Sequence, residues 1–191
     1  MHNENVTIGD CIAATVIRGG GSQDEFFLSG FYTATCVDKD GNIKWSDTIQ
    51  NTVTTVGKNS ILDVYLGAST QITSWFMGLI SSTTYSATAA ADTMASHGGW
   101  LEAGIANTPT YSQAARPTAS WSAAASGSKA LSSALAFNIT GSGTVKGAFL
   151  NSVATKDGTL GTLYSAGVFT GGDKVVSSGD TVNVSYTATA S

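Results

Sequence analysis

Asp38, Asp40 and Gly41, in the run DKDGNIKW, set two acidic side chains two residues apart ahead of a glycine, as calcium loops do. An EF-hand loop also needs glycine at its sixth position and a bidentate glutamate at its twelfth. Counted from Asp38, Gly41 is fourth and Ile49 is twelfth, so the ligand register fails and no metal is expected here. Asp40-Gly41 signals instead a tight two-residue hairpin turn, because glycine accepts the positive φ that such turns demand.

Other reactive constellations are as thin. His2 lies near the chain start, and His97 sits in the glycine-rich ASHGGW, where a plain surface side chain is expected. A carboxylate pair for glycoside hydrolysis would have to come from Asp63, Asp92, Glu102, Asp157, Asp173 or Asp180, most of them in apparent turns. The run GSGTVKG, residues 141–147, lacks the spacing of a phosphate loop and precedes a strand, not a helix. No G-x-S-x-G elbow occurs in a strand–turn–helix context. The expectation is a protein without enzymatic activity and without a cofactor.

Aromatic side chains are the remaining candidates. Trp45 and Trp75 fall in strand patterns and read as core. Trp100 and Trp121 lie in a Ser/Ala-rich stretch, where they suit a sugar platform or a subunit contact. Core or interface is favoured over a carbohydrate site.

Composition narrows the class further. Of 191 residues, 42% are apolar, too many for a disordered chain. Only 12% are charged, while Ser and Thr supply roughly a quarter, a surface that suits strands and lateral packing. The net charge of −4, with no Lys/Arg stripe, predicts no nucleic-acid partner. No apolar run approaches a membrane span, so no membrane partner is expected either. The start, MHNENVTIGD, lacks the basic and apolar regions of a secretory signal. Cys11 and Cys36 fit no metal spacing; a single bridge is open, and buried free thiols are preferred.

The elements that must carry these residues are mostly strands. Residues 1–22 read as an arm bearing Val6, Ile8, Ile12, Val16 and Ile17, with Gly19–Gly21 as a hinge to a body over 23–191. A first strand of the same domain is the alternative. Such an apolar arm is expected to contact a partner, by adding to a sheet edge of a neighbouring subunit or shell. FFLSGFYTATCV and NIKWSDTIQNTVTTV predict strands on either side of the DKDGN turn. GKNSILDVYLG changes to helical spacing, which predicts one short helix over about 58–67, capped by Asn59 or Ser60 and stopped by Gly67. QITSWFMGLIS reads as a strand buried on both faces. Residues 81–130 read as surface loops with short strands near Tyr111 and Trp121. LAFNIT, TVKGAFLNSV, TLYSAGVFT and DTVNVSYTATAS return to strand, the last with Val182, Val184 and Tyr186 on one face. Eight to ten short strands and one helix predict an all-β, antiparallel β-sandwich, jelly-roll-like.

These segments, in this order, resemble a group of small virion proteins of tailed bacteriophages. The hairpin leads into N-x-V-x-x-x-G-x-N-x-(I/L)-L-D and then W-(Y/F)-x-G-L, here Asn51 to Asp63 and Trp75 to Leu79. YSQAARPTASW and the closing strands from GTVKGAFL to NVSYT are similar to the group as well, so the resemblance covers about residues 26–189. It implies a capsid decoration (cement) protein that trimerises over the major capsid protein lattice on the virion surface, made in the host cytoplasm. A head-fibre, tail or receptor-binding module touching host carbohydrate through Trp100 and Trp121 is the other reading. Copy number on the particle separates the two.

Overall fold

The computed structural model describes residues 27–190. The arm residues Val6, Ile8, Ile12, Val16 and Ile17 lie outside the described residues, as does Cys11. Strand β1 (Leu28–Val37) and β2 (Ile43–Val53) form the expected hairpin, with Val37 opposite Ile43. The turn is three residues long, not two. Asp38 N–H donates to Asn42 O at 2.9 Å and Gly41 closes the turn at φ 85°. The Asp38 carboxylate accepts the N–H groups of Asp40 (2.9 Å) and Asn42 (2.8 Å), so it serves the turn itself.

Helix α1 (Thr55–Leu66) follows, then β3 (Trp75–Ser81), β4 (Leu101–Ala103), β5 (Thr110–Tyr111), β6 (Thr118–Ala119) and β7 (Ser128–Ala130). The chain closes with β8 (Leu135–Gly141), β9 (Gly143–Asn151), β10 (Leu163–Phe169), β11 (Lys174–Val176) and β12 (Thr181–Ala190). All pairings are antiparallel, in the order β4-β3-β9-β10-β2-β1-β12-β8-β5, with β11, β6 and β7 added on β9, β3 and β12. Among the described residues the fold is an all-β sandwich/barrel with one short helix. Its two layers belong to one nearly closed sheet, and more strands are present than the eight to ten expected, because the Ser/Ala-rich middle supplies two- and three-residue pieces.

Period-two patterning sets which face is buried. Tyr32, Ala34 and Cys36 of β1 point inward, as do Val182, Val184 and Tyr186 of β12. These join Ile49, Met77, Leu79, Phe137 and Leu150 in the main core. Inside it Tyr32 Oη lies 2.6 Å from Ser165 Oγ, and Asn51 Nδ2 donates to Tyr186 Oη at 3.1 Å. Cys36 is fully buried, and burial pushes its thiol up to about 11, with Asp180 adding to the shift.

Strands β3, β9 and β10 are buried on both faces. The second face is covered by residues 82–100, which build a smaller core of Ile80, Met94, Trp100, Phe149, Leu163 and Ala166. The segment expected to be surface loop is therefore partly interior. Trp45 and Trp75, expected as core, are half-buried at the margin of the main core.

The helix begins three residues before the expected start. Thr54, not Asn59 or Ser60, caps it: the buried Thr54 hydroxyl accepts Gly57 N–H at 3.0 Å and donates to Leu163 O. Gly67 ends it as expected, its N–H on Asp63 O at 3.1 Å. Gly57 is the one fully buried helical residue, and a Cβ there would lie 2.5 Å from Tyr164 O. The helix therefore sits directly on the β10 backbone, while Leu62, Tyr65 and Leu66 face outward.

Asp47 on β2 ties the turn after β10 to the sheet. Its oxygens accept from Lys174 Nζ (2.7 Å), Thr170 Oγ1 (2.9 Å), and the N–H groups of Thr48 (2.7 Å) and Gly171 (2.9 Å). Burial alone would raise this carboxyl, but these donors outweigh it and bring it down to about 2. A carboxyl held below its unfolded value near 3.9 adds stability that is complete above that value and disappears as pH falls toward 2. Thermal melts should therefore show stability falling between about pH 5 and pH 2, and Asp47→Asn should flatten that slope while lowering the melting temperature at pH 7.

Candidate functional site: an apolar trough beside the helix

Ile61, at the middle of α1, is the centre of an open apolar trough. On one side of Ile61 stand Phe27, Leu28, Leu62 and the stem of Lys58. On the other, Gln71, Ile72 and Thr73 from the loop after α1 face Trp75 on β3, Trp121, Tyr164 on β10, and Lys129 with Ala188 on β7 and β12. Three observations explain why this end of the barrel stays open. Gly57 seats the first turn of the helix directly on the β10 backbone. The loop 68–74 carries no regular structure, and its residues apart from Ile72 are exposed. Phe27, exposed beside Leu28, stands at the rim.

The trough is lined by aromatic rings held edge-on. Trp75 meets Tyr164 at 5.4 Å, and Trp121 meets Tyr186 at 6.2 Å. Trp121 is anchored by an antiparallel bridge to Leu131. Lys129 Nζ donates to Ser122 O at 2.9 Å on the same rim. The lining offers dispersion and apolar burial, with amide and ammonium groups only at the margin. Beyond it α1 shows Tyr65 and Leu66, 83% and 85% exposed.

Of the residues expected to make contacts, Trp121 belongs to this trough and Trp100 does not. Trp100 is 1% exposed, its Nε1 donates to Asp92 Oδ2 at 2.9 Å, and its ring packs on Phe149. It is a core residue, because its segment folds back over β3 and β9 and needs a large side chain to cover them. His97 stacks on it at 3.9 Å and is half-buried, not the plain surface histidine expected. The trough residues that sequence reasoning missed, Ile61, Ile72 and Trp75, carried a signal in their apolarity, but that signal read as ordinary helix and strand burial.

A second cluster holds the buried charges. Arg116 Nε and Nη2 donate to Glu102 Oε1 (2.8 Å) and Oε2 (2.6 Å), and Nη1 donates to Val153 O at 2.7 Å. Glu102 Oε2 also accepts Asp157 N–H at 2.7 Å, and the guanidinium lies 5.1 Å from the Phe149 ring centre. Beside it Lys156 Nζ reaches Gly104 O and Tyr111 O, both at 3.2 Å, over the Tyr111 ring. Burial lowers the Lys156 pKa, with Glu102 and Asp157 opposing. Both Glu102 oxygens are engaged, so this carboxylate is committed to fastening β4 to the loops 112–117 and 152–162.

Comparison with family models, with curated proteins and with solved structures finds no significant match to this chain. No helix among the described residues is long and apolar enough to cross a membrane.

Removing one partner of a buried pair strands the other charge, which costs about 3–5 kcal/mol. Arg116→Met should therefore destabilise the body by about that amount in urea unfolding, and Glu102→Leu combined with Arg116→Met should recover most of the loss.

Proposed function

We propose that the protein is a non-enzymatic structural component of a tailed-phage particle, a decoration (cement) protein that binds the major capsid protein lattice and stabilises the head. The observation that carries this reading is the apolar end of the barrel. Tyr65 and Leu66 stand exposed on α1 beyond the trough, on a chain with only 12% charged residues. Such a surface is suited to being covered by another protein. The ordered resemblance to small virion proteins supports the same reading, and homotrimer formation over capsid junctions is part of it. Trp75 and Trp121 in one open trough favour a second reading, a head-fibre, tail or receptor-binding module that stacks host sugars.

Gold-labelled antibody on intact particles should decorate the whole head at hundreds of copies, and the purified protein should sediment as a trimer at micromolar concentration. Label confined to the tail or to a few vertices would select the second reading. Absence of the protein from particles would remove both.

A further inference from the structure

We infer that the trough around Ile61 is the docking site for this chain's own N-terminal segment, residues 1–26. The inference goes beyond the particle reading, which draws on Tyr65 and Leu66 outside the trough, and it excludes the sugar-stacking alternative. The first argument is where the described chain begins. Phe27 lines the trough with Leu28, Ile61 and Leu62, so the preceding residues start at its mouth. Ile17 is ten residues before Phe27 (27 − 17), a reach of up to ~33 Å, enough to cross a helix and the groove beside it. A segment tethered so close has an effective concentration in the millimolar range, so modest apolar contacts suffice to hold it.

The second argument is charge. Residues 1–26 carry Glu4, Asp10, Asp24 and Glu25 against Arg18, a net charge of 1 − 4 = −3, with His2 neutral. The whole chain carries −4, so residues 27–191 carry only −1. Among the described residues, Lys39, Lys44, Arg116, Lys146 and Lys174 pair with carboxylates, and Lys156 is held by backbone carbonyls. The two cations left without a described carboxylate are Lys58 and Lys129, and both border the trough.

The third argument concerns the alternative of strand addition to another copy. The strands at the ends of the sheet path, β4 and β5, are three and two residues long, and the added strands β6, β7 and β11 are two or three. A strand joining any of them gains few ladder hydrogen bonds. Val6, Ile8, Ile12, Val16 and Ile17 thus find in the trough the apolar surface that these short edges do not offer.

Cys11 lies between Ile8 and Ile12, and Cys36 is buried, so the full-length chain carries its own reporter thiol. Gln71→Cys places a second thiol on the exposed trough rim, and Val175→Cys places one on β11, a 66% exposed control position. Under mild diamide oxidation in dilute solution, Gln71→Cys should form an intrachain disulfide with Cys11 about tenfold faster than Val175→Cys. In the full-length chain, Ile8→Asp, Ile12→Asp and Val16→Asp together should raise anilinonaphthalene sulfonate fluorescence several-fold by uncovering the trough, with circular dichroism unchanged. Equal disulfide rates at the two positions, a disulfide found only between chains, or unchanged dye fluorescence in the triple variant would each overturn the assignment. None of these outcomes depends on where the protein sits on a particle.

Discussion

The double-sided burial of β3, β9 and β10 is the constraint on which the architecture depends. A sheet covered on one face can leave its outer positions polar, but these three strands run nearly uninterrupted through apolar residues. The main core covers one face. The other can be covered only by chain from outside the ladder, and residues 82–100 do so by driving Met94 and Trp100 onto Phe149 and Leu163. A segment of that composition has little intrinsic preference for order, so its place must be fastened. Trp100 Nε1 on Asp92 Oδ2 and Ser86 and Ala87 N–H on Gly99 O provide the local ties.

The same demand explains the buried Arg116–Glu102 pair. Glu102 lies on β4, the last strand beyond β3, and Arg116 on the loop leading to β6, which returns to β3. An edge made of two- and three-residue strands has too few ladder bonds to hold itself. A bidentate ion pair, roofed by Phe149 and closed by Val153 O and Asp157 N–H, supplies directional contacts where hydrogen-bonded strand cannot. Isolated in a hydrocarbon core such a pair would be close to neutral in stability. Here its value is that it fixes which loops meet, a matter of specificity more than of net free energy.

How much of this could be read from residues follows from range. The β1–β2 hairpin, the two-sided β3 and the alternation of β12 were legible because each is a pattern within about ten residues of chain. The start of α1 was missed because Thr54 caps it through a hydroxyl that also donates to Leu163 O, a partner 109 residues away. The pairing of Glu102 with Arg116 was missed for the same kind of reason, and Trp100 could be narrowed only to core or interface. Nothing local distinguishes a tryptophan that covers a sheet from one that faces solvent, and charges 14 apart in irregular chain have no period. Of the trough, only Trp121 was singled out as a contact residue. Its neighbours come from α1, β3, β7, β10 and β12, and only the closing of the sheet brings them together.

The openness of that end follows from the seat of the helix. Gly57 allows α1 to touch β10 backbone to backbone at its first turn, which fixes one point of the helix and not its length. Further along, Ile61 and Val64 are only half covered, and by Tyr65 and Leu66 the helix faces outward. A helix of 12 residues gains most of its stability from tertiary packing and little from its own hydrogen bonds. With Gly57 buried, Val56 and Ile61 half-buried against the two cores, and Val64 half-buried, α1 packs on the body through one face only. Beside it the apolar side chains from Phe27 past Ile61 to Trp121 stay open among the described residues.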